Sequence, residues 1–275
     1  METVAHALAR ISVRTPTLPP ATHTNTWVVG DASLVVVDPA SPYDDERART
    51  FDALHRAHAE GRRVARLFLT HHHADHVSGA IDLRDRLAKI GHPVPIAAHA
   101  ATADLVRGRI DVDEPVADGE EVHPDVVAHF TPGHAPGHLV LRHRSAGWVV
   151  AGDLVAGVGT IVIDPDEGDL QQYLDSLERV RALAPTALMP AHGPVLPHAD
   201  AILSFYVAHR NQRSEQVRTA LDTHGRASAL QLAPRVYPEL AAAFHPLAAA
   251  QILTHLRWLA RHGLARPHAD GAWST

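Results

Sequence analysis

The stretch Leu67-Phe68-Leu69-Thr70-His71-His72-His73-Ala74-Asp75-His76 runs from a short apolar segment into four histidines and an aspartate within six residues. A brief, mostly apolar run such as Val64 to Leu69 fits a buried strand, and the end of a buried strand is where layered α/β folds place their sites. In extended backbone, residues two apart share a face, so His71, His73 and Asp75 can converge on one point while His72 and Ala74 point away. His76 breaks that alternation. It joins the others only if the chain turns, which Val77-Ser78-Gly79 at the start of the next helix permits.

The plainer reading is a solvated loop in a histidine-rich chain, since 23 of the 275 residues are histidine. It loses ground because three further segments each put one ligand-capable side chain after a strand: Thr131-Pro132-Gly133-His134, Ala151-Gly152-Asp153 and Pro190-Ala191-His192-Gly193. The chain has no cysteine. That excludes a disulfide framework, a thiolate metal site and a cysteine nucleophile together, so any metal must be held by nitrogen and oxygen.

Outward from the cluster, the patterns alternate. Residues 26–30 and 34–38 read as a hairpin turning at Asp31, 44–58 as a helix, and 81–90 as a helix ended by Gly91. Residues 94–98 read as a strand that Pro95 makes an edge or terminal one. Strands follow at 126–130, 139–142 and 148–151, then a helix carrying Leu170, Leu174, Leu177, Val180 and Leu183. This is layered α/β, with helices covering sheet faces. After Pro197 the strands stop: helices are expected at 202–221, 227–233 and 246–262, with residues 263–266 and 272–273 left for a small hairpin. Three helices and a hairpin make a winged-helix pattern, so the expected domains are 1–199 and 200–275. The charge changes sign at the same place, with eight arginines against five acids from Asp200 onward, and 17 bases against 26 acids before it.

The composition, 45% hydrophobic and 20% charged, is that of an ordinary globular protein and excludes disordered and coiled-coil readings. No apolar run reaches the roughly 20 residues that span a bilayer, and Met1-Glu2-Thr3-Val4-Ala5-His6 lacks the basic start of a signal peptide. The reading is a cytoplasmic protein with no membrane partner.

Taken together, the four strand-end segments resemble the metal-binding motifs of the metallo-β-lactamase superfamily, whose fold is an αβ/βα sandwich. The resemblance covers the whole body of the chain, including His23-Thr24-Asn25-Thr26-Trp27 and Asp118-Gly119. It implies two divalent metal ions, the first held by His71, His73 and His134, the second by Asp75, His76 and His192, with Asp153 bridging both. Zinc is the default because imidazole and carboxylate suit it, and manganese and iron accept the same donors. Two divalent ions set against Asp75, Asp153 and a bridging hydroxide leave the core positive, which favours hydrolysis through an anionic transition state. Asp75 can also accept a proton from the attacking water.

Other residues rank lower. His138, in Pro136-Gly137-His138, can act as general acid to a leaving group, contact a phosphate, or support a ligand from behind. His72 reads as non-coordinating, Asn25 as an assistant to the site or a plain turn residue, and Asp111 to Glu114 as a solvated acidic loop.

The tail from His209-Arg210 through Val236-Tyr237-Pro238 to His255-Leu256-Arg257-Trp258-Leu259 resembles the winged-helix module of the β-lactamase-like protein 2 branch. That branch implies a single-strand-selective endoribonuclease. Arg257, Arg261 and His262 could reach phosphates, although the small positive balance suits a nucleic-acid domain poorly, and the module then packs on the body and walls the cleft. The expected function is hydrolysis of an ester-type bond by a metal-bridging hydroxide. The substrate is single-stranded RNA or a small ester-type molecule such as a thioester or lactone, as in glyoxalase II-like and lactonase-like members. Three rivals are an exported β-lactamase, an iron-dependent dioxygenase and, outside catalysis, a metal-stabilised nucleic-acid-binding module. A homodimer is left open.

Overall fold

The computed structural model describes residues Met1 to Thr275. They form two compact units, the first of Met1–Thr131, Pro136–Ile161 and Leu183–Ala199, the second of Pro132–Ala135, Val162–Ala182 and Asp200–Thr275. Besides everything from Asp200 on, the second unit thus takes in two segments from the middle of the chain.

The first unit is built on two sheets. In the seven-stranded one, β1 (Glu2–Ala5), β2 (Leu8–Arg14), β3 (His23–Val29), β4 (Ser33–Val37), β5 (Arg63–Leu69), β6 (Ile96–Ala98) and β7 (Glu114–Pro115) lie side by side in chain order. β1 to β4 pair antiparallel and β4 to β7 parallel. The parallel crossovers carry α1 (Asp44–Ala59), α2 (Ala74–Val77), α3 (Ala80–Lys89) and α4 (Ala100–Val106). The six-stranded sheet runs β13-β12-β11-β10-β9-β8, from β8 (Glu121–His123), β9 (Val126–Phe130), β10 (Leu139–His143), β11 (Trp148–Gly152), β12 (Ala187–Pro190) and β13 (Leu196–Pro197).

Side-chain alternation assigns the layers. In β4, Leu34 and Val36 join the core that contains Leu54, Ala57, Leu83 and Leu87 of α1 and α3. Val35 and Val37 point the other way, into a core shared with Leu139, Leu141, Val150 and Met189 of the second sheet. The near-unbroken valine run is what a strand buried on both faces requires. Helices, sheet and facing sheet are therefore stacked as the sequence predicts.

The second unit contains α5 (Leu170–Ala182), α6 (Ala199–His224) from Asp200 on, α7 (Ala229–Val236), a turn of 3-10 helix (Ala242–Phe244), α8 (His245–Arg261) and a hairpin of β14 (Arg266–Pro267) and β15 (Trp273–Ser274). Val217 and Leu221 of α6, Leu232 and Val236 of α7, and Ile252, Leu256 and Leu259 of α8 close one core with Trp273. Ser228 starts α7 with a capping box shared with Gln231, which satisfies two amides that a helix start otherwise leaves unbonded.

Some details differ from the sequence expectations. The β1–β2 hairpin and α4 were not anticipated. β6 begins after Pro95 and pairs on both sides, with β5 and β7, so it is not an edge. Pro95 stands just outside the ladder, where its missing amide matters least, and its carbonyl accepts from Leu67 N at 2.9 Å. No helix is long and apolar enough to cross a membrane.

Candidate metal centre

β5 delivers the cluster, but the chain turns earlier than the sequence suggests. His73 is extended (φ −63°, ψ 146°) and forms the N-cap of α2. Strand-like alternation therefore covers only His71 and His73, whose Nε2 and Nδ1 lie 3.0 Å apart. Asp75 and His76 belong to the single turn of α2, so Asp75 reaches the site from a helix and not, as expected, from the strand. Gly79 closes the turn: a Cβ there would sit 2.7 Å from the Pro39 carbonyl, which accepts the Gly79 amide at 2.8 Å.

Two groups of ligand atoms, each within 4.8 Å of one another, come together in the first unit: Asp75, His76 and His192, and His71, His76 and Asp153. His192 Nε2 lies 3.5 Å from both Asp75 Oδ2 and Asp153 Oδ1. His76 Nε2 lies 3.5 Å from Asp153 Oδ1 and 4.0 Å from Asp75 Oδ1. His71 and His76 are fully buried, and His192 and Asp153 are 5% and 8% exposed. His76 Nε2 is buried and makes no hydrogen bond, a costly state for a polar atom with two carboxylates nearby. A cation resolves it. Donors about 2.1 Å from a tetrahedral ion stand about 3.4 Å from each other, which is the spacing seen here and too long for a good hydrogen bond. The donor set fits divalent metal.

Hydrogen bonds behind these candidate ligands fix which nitrogen faces inward. Asp38, at the end of β4, accepts from Thr70 N at 2.7 Å, Thr70 Oγ1 at 2.7 Å and His76 Nδ1 at 2.8 Å. The Thr70 hydroxyl spends its one proton on Asp38, so at 3.0 Å it accepts from His71 Nδ1–H, leaving His71 Nε2 with its lone pair. His192 Nδ1 donates to the His23 carbonyl at 3.0 Å, with the same result. Asp38 is buried with φ +51°, and the sequence reading missed it. Its signal was a lone carboxylate closing an apolar strand. Burial works against charge on His76, yet Asp153 and Asp38 hold its imidazole well above the ordinary value. Asp153 is held well below the usual carboxylate range, against its own burial, by the charge of His76 and by His192.

Residues 19–192 match the Metallo-beta-lactamase superfamily, and residues 228–273 match the beta-lactamase associated winged helix domain. The chain belongs to the metallo-beta-lactamase superfamily. It is 26% identical to a beta-lactamase-like protein 2 homolog of Caenorhabditis elegans, over 98% of this chain and 90% of the relative. A beta-lactamase domain protein from Burkholderia ambifaria shares the fold, with TM-score 0.82, 22% identity, and 99% and 94% of the two chains covered. A protein solved in a di-iron-bound form aligns with TM-score 0.53 and 24% identity, over 67% of this chain and 94% of its own.

For this superfamily member the remaining expected residues are placed as follows. His134 lies in Pro132–Ala135, within the second unit, and its Nδ1 donates to the Val162 carbonyl at 2.7 Å. His138 is fully buried. Its Nε2 accepts the Asp153 amide at 3.1 Å, so its Nδ1 carries the proton and meets Thr131 Oγ1 at 2.8 Å. That arrangement suits support of Asp153 from behind. His72 packs its ring on His73, centroids 4.5 Å apart. Asn25 is buried and donates to the Pro190 and Gly193 carbonyls at 3.0 and 2.9 Å, bracketing His192. Within the acidic stretch, Asp113 accepts the Ile96 amide at 2.8 Å and Glu114 pairs with Arg66 at 3.4 Å, so both serve the sheet edge.

Proposed function

We propose that this chain is a metal-dependent hydrolase that holds two divalent ions, one with His71, His73 and His134 and one with Asp75, His76 and His192, with Asp153 serving both. The observation that carries the reading is His76 Nε2, buried and unbonded between two carboxylates. Zinc is the first choice for these donors, with manganese and iron next; the di-iron form of a fold relative keeps iron in view. Bound there, such ions polarise a carbonyl or phosphoryl oxygen and bring the pKa of water toward about 7.

The chain's own groups do the rest. Asp38 and the His23 carbonyl hold His71, His76 and His192 in the tautomers that present Nε2. Asp75, the most exposed of the carboxylates around His76, accepts a proton from water. His138 keeps the Asp153 backbone in place.

The substrate carries an ester-type bond. A phosphodiester of single-stranded RNA comes first, because the likeness to a beta-lactamase-like protein 2 homolog extends through the winged helix. A second reading, a carboxylic ester, lactone or thioester, is favoured by the arginines of the second unit. Arg257 binds the Pro165 carbonyl and Asp166, Arg261 binds Asp169, Arg218 binds Glu215 and Asp222, and Arg226 binds Asp270. Arginines neutralised in this way make a poor phosphate track.

Metal-reconstituted protein assayed on single-stranded RNA, bis-p-nitrophenyl phosphate, lactones, thioesters and a chromogenic cephalosporin tests both readings. Lactone or thioester turnover with intact RNA selects the second. RNA binding without turnover on any substrate would replace catalysis with a metal-stabilised binding module.

A further inference from the structure

His134 donates its Nδ1–H to the Val162 carbonyl, which leaves Nε2 as the coordinating nitrogen. Val162 lies in neither helix nor strand, so no ladder fixes the direction of its carbonyl. The neighbouring residue supplies the anchor. Ile163, buried at 1% exposure, donates its amide to Gln251 Oε1 at 3.2 Å, and its carbonyl accepts from Gln251 Nε2 at 3.2 Å and Thr254 Oγ1 at 2.8 Å. Gln251 and Thr254 stand three apart on α8 and so share one face of it.

The same face continues along the chain. Trp258 Nε1 donates to Gln171 Oε1 at 2.9 Å, and Arg257 and Arg261 reach Pro165, Asp166 and Asp169. Asp169 in turn donates its amide to the Gly133 carbonyl at 2.8 Å, and Ser176 Oγ donates to the Pro132 carbonyl at 2.7 Å. Gly133 permits this approach, since a Cβ there would lie 2.2 Å from Tyr173 N. Residues 132–135 are thus held by 162–176, and 162–169 by α8, all within the second unit.

We infer that α8 of the winged-helix module orients the imidazole of a metal ligand, with Gln251 and Thr254 acting through Ile163 and Val162 as positioning residues for His134. The inference rests on the proposed ligand role of His134. It gives the module a task in the metal centre that does not depend on any contact with nucleic acid.

The test uses the full-length chain and two readouts other than turnover: metal affinity against a competing chelator, and the absorption bands of the Co2+-substituted protein. In the double variant Gln251→Ala/Thr254→Val, one of the two metal equivalents should bind about tenfold more weakly, and its Co2+ bands should move in the direction produced by His134→Ala. Thr254→Val alone, an isosteric change, should give about a threefold loss, and serves if the double variant fails to fold. Thr254→Ser, which keeps the hydroxyl, should restore wild-type affinity. Ser214→Ala removes a buried hydrogen bond to His255 in the same module and should leave both equivalents unchanged. Unchanged affinity and bands in the double variant, while His134→Ala loses one equivalent, would overturn the inference. So would an equal weakening by Ser214→Ala. Wild-type protein that binds no metal would instead overturn the ligand assignment beneath it.

Discussion

At the scale of single residues, one carboxylate governs two of the proposed ligands. Asp38 accepts three hydrogen bonds from Thr70 and His76 and through Thr70 sets the tautomer of His71. Asp38→Ala should weaken metal binding about ten- to hundredfold and leave buried donors unsatisfied at about 1–3 kcal/mol each. Chelator competition on folded variant checks the first effect, and unchanged affinity would remove Asp38 from the centre. Asp75→Ala should abolish turnover on every substrate, since under the proposed function it removes both a ligand and the proton acceptor; residual turnover in a folded variant would remove Asp75 from both roles. His138 separates two roles that the sequence left side by side. If it holds the Asp153 backbone, His138→Ala slows esters with poor leaving groups and p-nitrophenolate esters by the same factor. A loss confined to poor leaving groups would return it to the general-acid role.

At the scale of elements, α6 and α8 are joined by a histidine that burial keeps neutral near pH 7. Ser214 Oγ and His255 Nδ1 meet at 2.8 Å in the buried seam. Burial, then Arg210, Arg213 and His209, push His255 from its ordinary value down to about 3. The unfolded chain, with an ordinary imidazole near about 6.5, takes up a proton that the folded chain refuses. Stability is therefore full above about 6.5 and is lost as pH falls from there toward about 3, by at most about 1.4 kcal/mol per pH unit. Denaturant unfolding at about pH 7 and pH 5 should show the loss in wild type and a smaller one in His255→Gln, where no such proton exists. Parallel losses in both proteins would assign the pH sensitivity to other groups.

At the scale of the whole molecule, what could be read in the sequence was whatever is local. Each proposed ligand sits in a short motif that follows a strand, and the α and β periods placed most elements. The turn at His73 escaped because alternation and a helical turn both bring Asp75 inward. Asp38 escaped because its partners lie 32 and 38 residues away, and a long-range hydrogen bond leaves no trace in local pattern. The β1–β2 hairpin turns through Ala7 at φ +53°, without the glycine or asparagine that announces such a turn. The membership of α5 and residues 132–135 in the second unit is likewise a matter of packing and not of chain order. The site as folded also makes a thermodynamic demand. In the metal-free chain its carboxylates are balanced by histidines, with both His76 and His192 raised against the effect of burial. An incoming divalent ion needs those nitrogens deprotonated, so its binding releases protons and weakens as pH falls. An ion that binds only the folded chain stabilises it by about 2.7 kcal/mol at a hundred times its dissociation constant. Zinc should therefore raise the thermal midpoint at about pH 7.5, raise it less at about pH 5.5, and lose its effect on addition of chelator. Asp153→Asn should lose most of the rise, because the replaced carboxylate faces both His76 and His192 at 3.5 Å. Calorimetry showing the same rise at both pH values, or an undiminished rise in Asp153→Asn, would place the ions somewhere other than this cluster.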